Sequence, residues 1–151
     1  MPQNYGKAFE NQFRQDIRRL GMFIYRLPDQ MSGYAGYSKN PCDFFVYSKP
    51  NLFLLECKTV HGNTFPLSNF TQYELMKSYV NIQGVYGAVI IWFVDHDKII
   101  YVPIEQVKQM KEEQKKSINI KELDNIRIVP AMKKRIFMQG DYSFLKEIGD
   151  E

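Results

Sequence analysis

The chain has 151 residues, 44% of them hydrophobic and 15% aromatic, with 20 Lys+Arg against 17 Asp+Glu and a formal net charge of +3. That is enough apolar material for a packed core over 1–151 as a single domain, which excludes a disordered chain. It contains no apolar run of the roughly 18 residues a membrane span needs, and a charge of +3 does not by itself mark a nucleic-acid binder.

In chain order, the spacing of Phe9, Phe13, Ile17 and Leu20 predicts an amphipathic helix over 5–20. Residues 22–27 read as a strand closed by Pro28-Asp29. Two further strands, 43–47 and 52–58, flank Ser48-Lys49-Pro50-Asn51, which has turn chemistry. A Ser/Asn/Thr cluster opens a second helix over 68–83, closed near Gly84. Residues 86–94 and 98–103 form a hairpin around Asp95-His96-Asp97, followed by a polar helix over 105–116 and a short one over 142–148. This order predicts an α/β fold, a mixed sheet with helices packed on it. Core packing is the first use of 86–94, with a share in a dimer surface as the other.

The hairpin NPCDFFVYSKPNLFLLECKTV carries the chemistry. If its turn closes symmetrically, Tyr47 pairs with Leu52, paired positions sum to 99, and Asp43 lies opposite Glu56. A three- or five-residue loop would break that pairing. Cross-strand Cβ atoms lie about 4.5–5.5 Å apart, and two carboxylates so close resist ionising unless a cation sits between them. A hard cation such as Mg²⁺ takes oxygen ligands. Lys58 falls on the same strand face as Glu56 and places a positive charge beside them. Such residues are ordinary at an exposed strand edge, but here they end the apolar run Leu52-Phe53-Leu54-Leu55, which reads as buried on both faces. Glu10 sits on the rim of the first helix's apolar stripe. It either leans toward the sheet or pairs with Arg14 at i,i+4, and spacing favours the pair. Cys42 and Cys57 also sum to 99 and read as small buried hydrophobes facing each other on the side opposite the carboxylates. With two cysteines and two histidines, neither a disulfide scaffold nor a zinc site is expected.

Pro41-Cys42-Asp43 followed by Glu56-Cys57-Lys58 resembles the PD-(D/E)XK nuclease signature, with one residue inserted between Pro and Asp. Phe65-Pro66-Leu67-Ser68-Asn69-Phe70, the apolar strand 87–94 and Gly6-Lys7-Ala8-Phe9-Glu10 are similar to segments of the RecU-type Holliday junction resolvases, over about residues 5–107. The resemblance implies a restriction-endonuclease-like core, a central mixed β-sheet flanked by helices. It implies metal ligation by Asp43 and Glu56 with Glu10 in support, and Lys58 positioning the nucleophile. Gln72 falls where the superfamily often places a polar residue facing the site; Glu74 competes for that place. The interval between Glu10 and Asp43 is too short for the stalk insertion of bacterial RecU proteins, so the plan is closer to archaeal and phage resolvases.

The implied activity is Mg²⁺-dependent (Mn²⁺ in its place) endonucleolytic resolution of four-way DNA junctions by paired symmetric nicks. The implied agent is a cytoplasmic homodimer (host cytoplasm if phage-encoded) with no organic cofactor. Two alternatives stay open: another nuclease of the superfamily acting on ends, flaps or nicked duplex, and a non-cleaving DNA-binding protein on the same fold. The intact Asp43, Glu56 and Lys58 argue against the second. For phosphate contacts the candidates are Lys7, Arg14 and Arg18 near the first helix, Ser32, Ser38 and Lys39 in the Gly/Ser/Tyr loop, and the basic run Lys133-Lys134-Arg135. Tyr34 and Tyr37 in that loop are candidates for stacking on exposed bases. Each of these groups also has a plain solvated-surface reading.

Overall fold

The computed structural model describes residues 4–29, 40–135 and 137–148. Helix α1 (Tyr5–Arg19) begins where the Asn4 side chain accepts the Lys7 N–H at 3.0 Å. It ends in a Schellman turn, with Gly21 N–H donating to Arg18 O and Met22 N–H to Ile17 O. Gly21 adopts φ 78°, the left-handed conformation that glycine takes at least cost. Phe9, Phe13 and Ile17 are the buried stripe, as their spacing predicts.

Strands β1 (Phe23–Arg26), β2 (Phe44–Ser48) and β3 (Asn51–Val60) follow, then β4 (Thr64–Pro66), a 3-10 turn at Leu67–Asn69 and helix α2 (Tyr73–Tyr79). Next come β5 (Val85–Phe93), β6 (Lys98–Pro103), α3 (Ile104–Glu112), β7 (Ser117–Asn119), β8 (Arg127–Val129), β9 (Ala131–Lys134) and β10 (Phe137–Gly140), with a final 3-10 turn at Ser143–Lys146. The main sheet has the order β1-β2-β3-β5-β6-β8. Its β3–β5 pair is parallel and the others are antiparallel. β4 pairs with β7, and β9 with β10.

Each sheet face carries its own core. Phe9, Phe13 and Ile17 of α1 pack with Phe44, Leu55, Ile90 and Trp92 on one side. Tyr73 and Met76 of α2 and Ile104 and Val107 of α3 pack with Leu54, Val89, Ile91 and Phe93 on the other. β5 thus alternates between the two cores and is buried on both faces. It lies in mid-sheet and contributes core, not the share of a dimer surface that its apolarity suggests. The buried Asp16 carboxylate on α1 accepts from Gln12 Nε2 at 2.7 Å and from the Gly140 N–H at 2.9 Å, fastening the β9–β10 hairpin beside the helix.

The expected second helix, 68–83, shortens to α2. Leu67 N–H is taken by Lys116 O at 2.9 Å and β4 is tied to β7, so the chain up to Phe70 cannot join a helix. Beyond Tyr79 it turns through Gly84, at φ 85°, into β5. α3 stops at Glu112 because Gln114 takes φ 65° and Lys115-Lys116 lead into β7. The segment expected to be a helix over 142–148 is a 3-10 turn.

Candidate active site

The β2–β3 hairpin closes through Lys49-Pro50 in the expected register, from Ser48↔Asn51 and Tyr47↔Leu52 to Phe44↔Leu55. The ladder ends at Asp43, whose N–H still donates to Leu55 O at 3.1 Å, while Leu27 N–H donates to Asp43 O at 2.8 Å. Its side chain then takes over: Oδ2 accepts the Cys57 N–H at 2.9 Å, which holds the carboxylate against the next turn of β3. Because regular pairing stops there, Cys42 leaves the expected alternation. It packs in the α2-side core and Cys57 in the α1-side core, so the two thiols do not face each other. Burial pushes both thiols up, leaving them inert.

Glu56 is 2% exposed. Its Oε2 lies 3.4 Å from Lys58 Nζ, and among the described residues its Oε1 has no hydrogen-bond partner. Burial first, and the Asp43 charge second, push its carboxyl up to about 8, with Lys58 opposing. Burial likewise raises Asp43, against the pull of the Cys57 N–H, Arg26 and Lys58. A buried carboxylate with an unpartnered oxygen beside a second carboxylate fits a divalent cation, which supplies the missing charge and takes oxygen ligands. Among the described residues, no group of three or more His, Cys, Asp or Glu side chains forms a ready-made cage.

Glu10, half-buried on α1, does not pair with Arg14. Its Oε1 accepts from Arg26 Nε at 2.7 Å. Arg26, at the end of β1, also donates from Nη2 to Asp29 Oδ1 at 2.9 Å and from Nη1 to Leu27 O. Its guanidinium carbon lies 5.6 Å from the centre of the Phe44 ring. Burial opposes the Arg26 charge, but Glu10, Asp29 and Asp43 more than offset it, so the guanidinium holds its proton more tightly than a free one. Burial, then the Asp43 charge, raises Glu10. Sequence reasoning missed Arg26; its one signal is a charge closing an apolar strand, the argument already applied to Glu56.

Two clefts meet at Arg26. A cavity of about 180 Å³ is lined by Asp43, Gln72, Thr71 and Asn40 among others, so Gln72 shares a cavity with Asp43 but not with Glu56. Glu74 is exposed and 3.7 Å from Lys77, away from that cavity. A wider cleft of about 490 Å³ runs along α1, with Lys7, Glu10, Arg14 and Asp29 on its walls. Arg18 is exposed on α1 beyond it. Lys133 bonds Asp97 at 2.8 Å and sits over Trp92, while Lys134 and Arg135 stand exposed at the hairpin tip. Ser32, Tyr34, Tyr37, Ser38 and Lys39 lie outside the described residues.

The family model described as Recombination protein U matches residues 31–140. The chain belongs to the RecU family of Holliday junction resolvases. Resolvases are endonucleases, so the chain is an enzyme of DNA recombination, in a family that depends on divalent metal. The matched span holds Asp43, Glu56, Lys58 and Gln72 and leaves out α1. Among solved structures the chain is similar to Archaeoglobus fulgidus Hjc, a Holliday junction resolvase from an archaeal hyperthermophile. That likeness has a TM-score of 0.55 and 20% identity, and covers 76% of this chain and 88% of that one. It bears out the restriction-endonuclease-like fold. No curated protein sequence matches the chain. No helix among the described residues is long and apolar enough to cross a membrane.

Proposed function

We propose that the protein cuts four-way DNA junctions by paired symmetric nicks, as a cytoplasmic homodimer that uses Mg²⁺, with Mn²⁺ as a substitute. The observation that carries this reading is the buried Glu56 carboxylate beside half-buried Asp43, with Lys58 3.4 Å from Glu56 and one Glu56 oxygen unpartnered among the described residues. Asp43 and Glu56 would hold the metal, which when bound acidifies water and neutralises charge on the phosphate under attack.

The chain's own groups do the rest. The Cys57 N–H fixes the Asp43 carboxylate, so that ligand needs little reorganisation. Lys58 Nζ is free to turn from Glu56 toward the attacking water or a phosphate oxygen, and its positive charge steadies the charge that grows there. Glu10, restrained by Arg26, supports the site from the α1 side. Gln72 offers an amide to a water or phosphate in the small cavity. Lys7 and Arg14 on the wider cleft, with Arg18 and the Lys133-Lys134-Arg135 tip, supply phosphate contacts that position DNA without reading its sequence. Ser32, Ser38 and Lys39 join them in this reading because they stand shortly before Asp43 in the sequence.

The test compares a four-way junction with a matched linear duplex, in Mg²⁺ and in EDTA. The reading predicts cutting of the junction in Mg²⁺ alone. Equal cutting of the duplex would remove junction selectivity, and cutting in EDTA would remove the metal.

A further inference from the structure

We infer that the dimer forms through the uncovered aromatic face of β1 and β2, which meets the same face of a second copy about a two-fold axis. This rests on the resolvase reading, in which paired incisions require two active sites.

Two cross-strand rows define the face. Phe23, Tyr47, Leu52 and Val85 lie side by side across β1, β2, β3 and β5, and Tyr25, Phe45, Leu54 and Gly87 form a parallel row. Side chains alternate along a strand, so both rows share the α2 side of the sheet. α2 covers their inner end: a Cβ on Gly87 would sit 2.8 Å from Met76 and Val80, and Leu54 is buried. Toward the edge the cover by described residues gives out. Tyr47 is 43% exposed, Tyr25 53% and Phe23 59%. The opposite face of the same strands is closed, since Phe44 and Val46 pack in the α1-side core.

The size and charge of the face select its occupant. An aromatic side chain presents roughly 150–250 Å², so these three residues leave about 300 Å² of apolar surface, and half-buried Phe45 and Leu52 extend it. That is the scale at which a patch marks an interaction site. It is also about the apolar centre of an interface burying roughly 800 Å² per partner. β1 is a terminal strand of the sheet, and an apolar edge left open invites pairing. DNA is the poorer occupant: Lys7, Arg14 and Arg18 belong to α1, and Lys133, Lys134 and Arg135 to the hairpin fastened beside it, across the sheet. Arg26 and Asp43 lie about 10–13 Å along the strands from Phe23 and Tyr47, so an isologous contact here leaves the catalytic groups open.

The experiment measures mass by sedimentation for the full chain and for Phe23→Glu/Tyr47→Glu, a directly cross-paired position. The inference predicts a wild type of twice the 17.9 kDa chain mass and a folded monomeric variant with unchanged circular dichroism. Mixing that variant with Phe23→Lys/Tyr47→Lys should restore the dimer. Ile128→Glu, an exposed residue on β8 at the far sheet edge, should leave the dimer intact. Where the double variant unfolds, Tyr25→Glu replaces it and must also give a monomer. A variant that stays dimeric, or a wild type that is monomeric, overturns the inference. So does a dimeric variant that has lost junction binding, which would assign the face to DNA. Junction nicking by the wild type is read separately. A dimer that dissociates as predicted but never cuts a junction sinks the resolvase reading and leaves the interface standing.

Discussion

Replacing Glu56 with Gln keeps the side chain's shape and removes its charge. In the metal-free protein burial first, and the Asp43 charge second, push the Glu56 carboxyl up to about 8 from an ordinary 4.5. A folded-state value raised this way adds stability that is fully present below the unfolded value and is lost as pH rises through the folded one. The window therefore runs from about 4.5 to about 8. At about 1.4 kcal/mol per pH unit, the loss across it is on the order of a few kcal/mol. For a chain of this size each kcal/mol moves Tm by roughly 2–4 °C, so the wild type in EDTA should melt about 10 °C lower at pH 9 than at pH 5. Glu56→Gln should remove most of that slope, with a smaller residue from Asp43, which burial also raises. Mg²⁺ at pH 8 should raise the wild-type Tm and leave that of Glu56→Gln nearly unchanged. Thermal melts at several pH values, with EDTA or Mg²⁺, read both effects. An unchanged pH slope in the variant, or equal stabilisation by Mg²⁺, would refute the reasoning.

Lys58→Met should lower the single-turnover cutting rate by about 10²-fold or more while leaving junction affinity within a small factor; an equal loss in affinity would make Lys58 a binding residue. Arg26→Ala breaks the 2.7 Å pair with Glu10 and should cost about 1–3 kcal/mol. Glu10→Gln should cost much less in the Arg26→Ala background than alone, and an additive double-mutant cycle would show the pair to be uncoupled. Lys7→Ala and Arg14→Ala should each weaken binding and flatten the dependence of log K on log salt by up to about one unit. Lys108→Ala, at an exposed position of α3 4.0 Å from Glu112, should leave that slope as it is.

The β2–β3 hairpin was legible because its features are local. Two apolar strands flank a two-residue turn, and one register places every pair from Ser48↔Asn51 to Phe44↔Leu55. The α1 stripe and the unbroken apolar run of β5 were legible for the same reason. β4, β7, β8, β9 and β10 are three or four residues long, too short for a period to show. Their partners are set by tertiary contacts such as Phe65↔Ile118. The second helix was overextended because its cap-like Ser68-Asn69 cluster is used by a 3-10 turn tied to Lys116. Helical spacing offered Glu10 a partner in Arg14; folding offered Arg26, which reaches it from β1 across 16 residues of sequence. The aromatic face was hidden too, because Phe23 and Tyr47 become neighbours only through the β1–β2 register.

The most direct test of the central claim maps nicks on both strands of a four-way junction, with wild type and Asp43→Asn in Mg²⁺, alongside a binding measurement without cutting. Paired nicks at symmetric positions are expected for the wild type. For Asp43→Asn no nicks are expected, with junction binding retained, because the variant loses a proposed metal ligand and none of the proposed phosphate-binding cations. Cutting by Asp43→Asn at the wild-type rate would contradict the account.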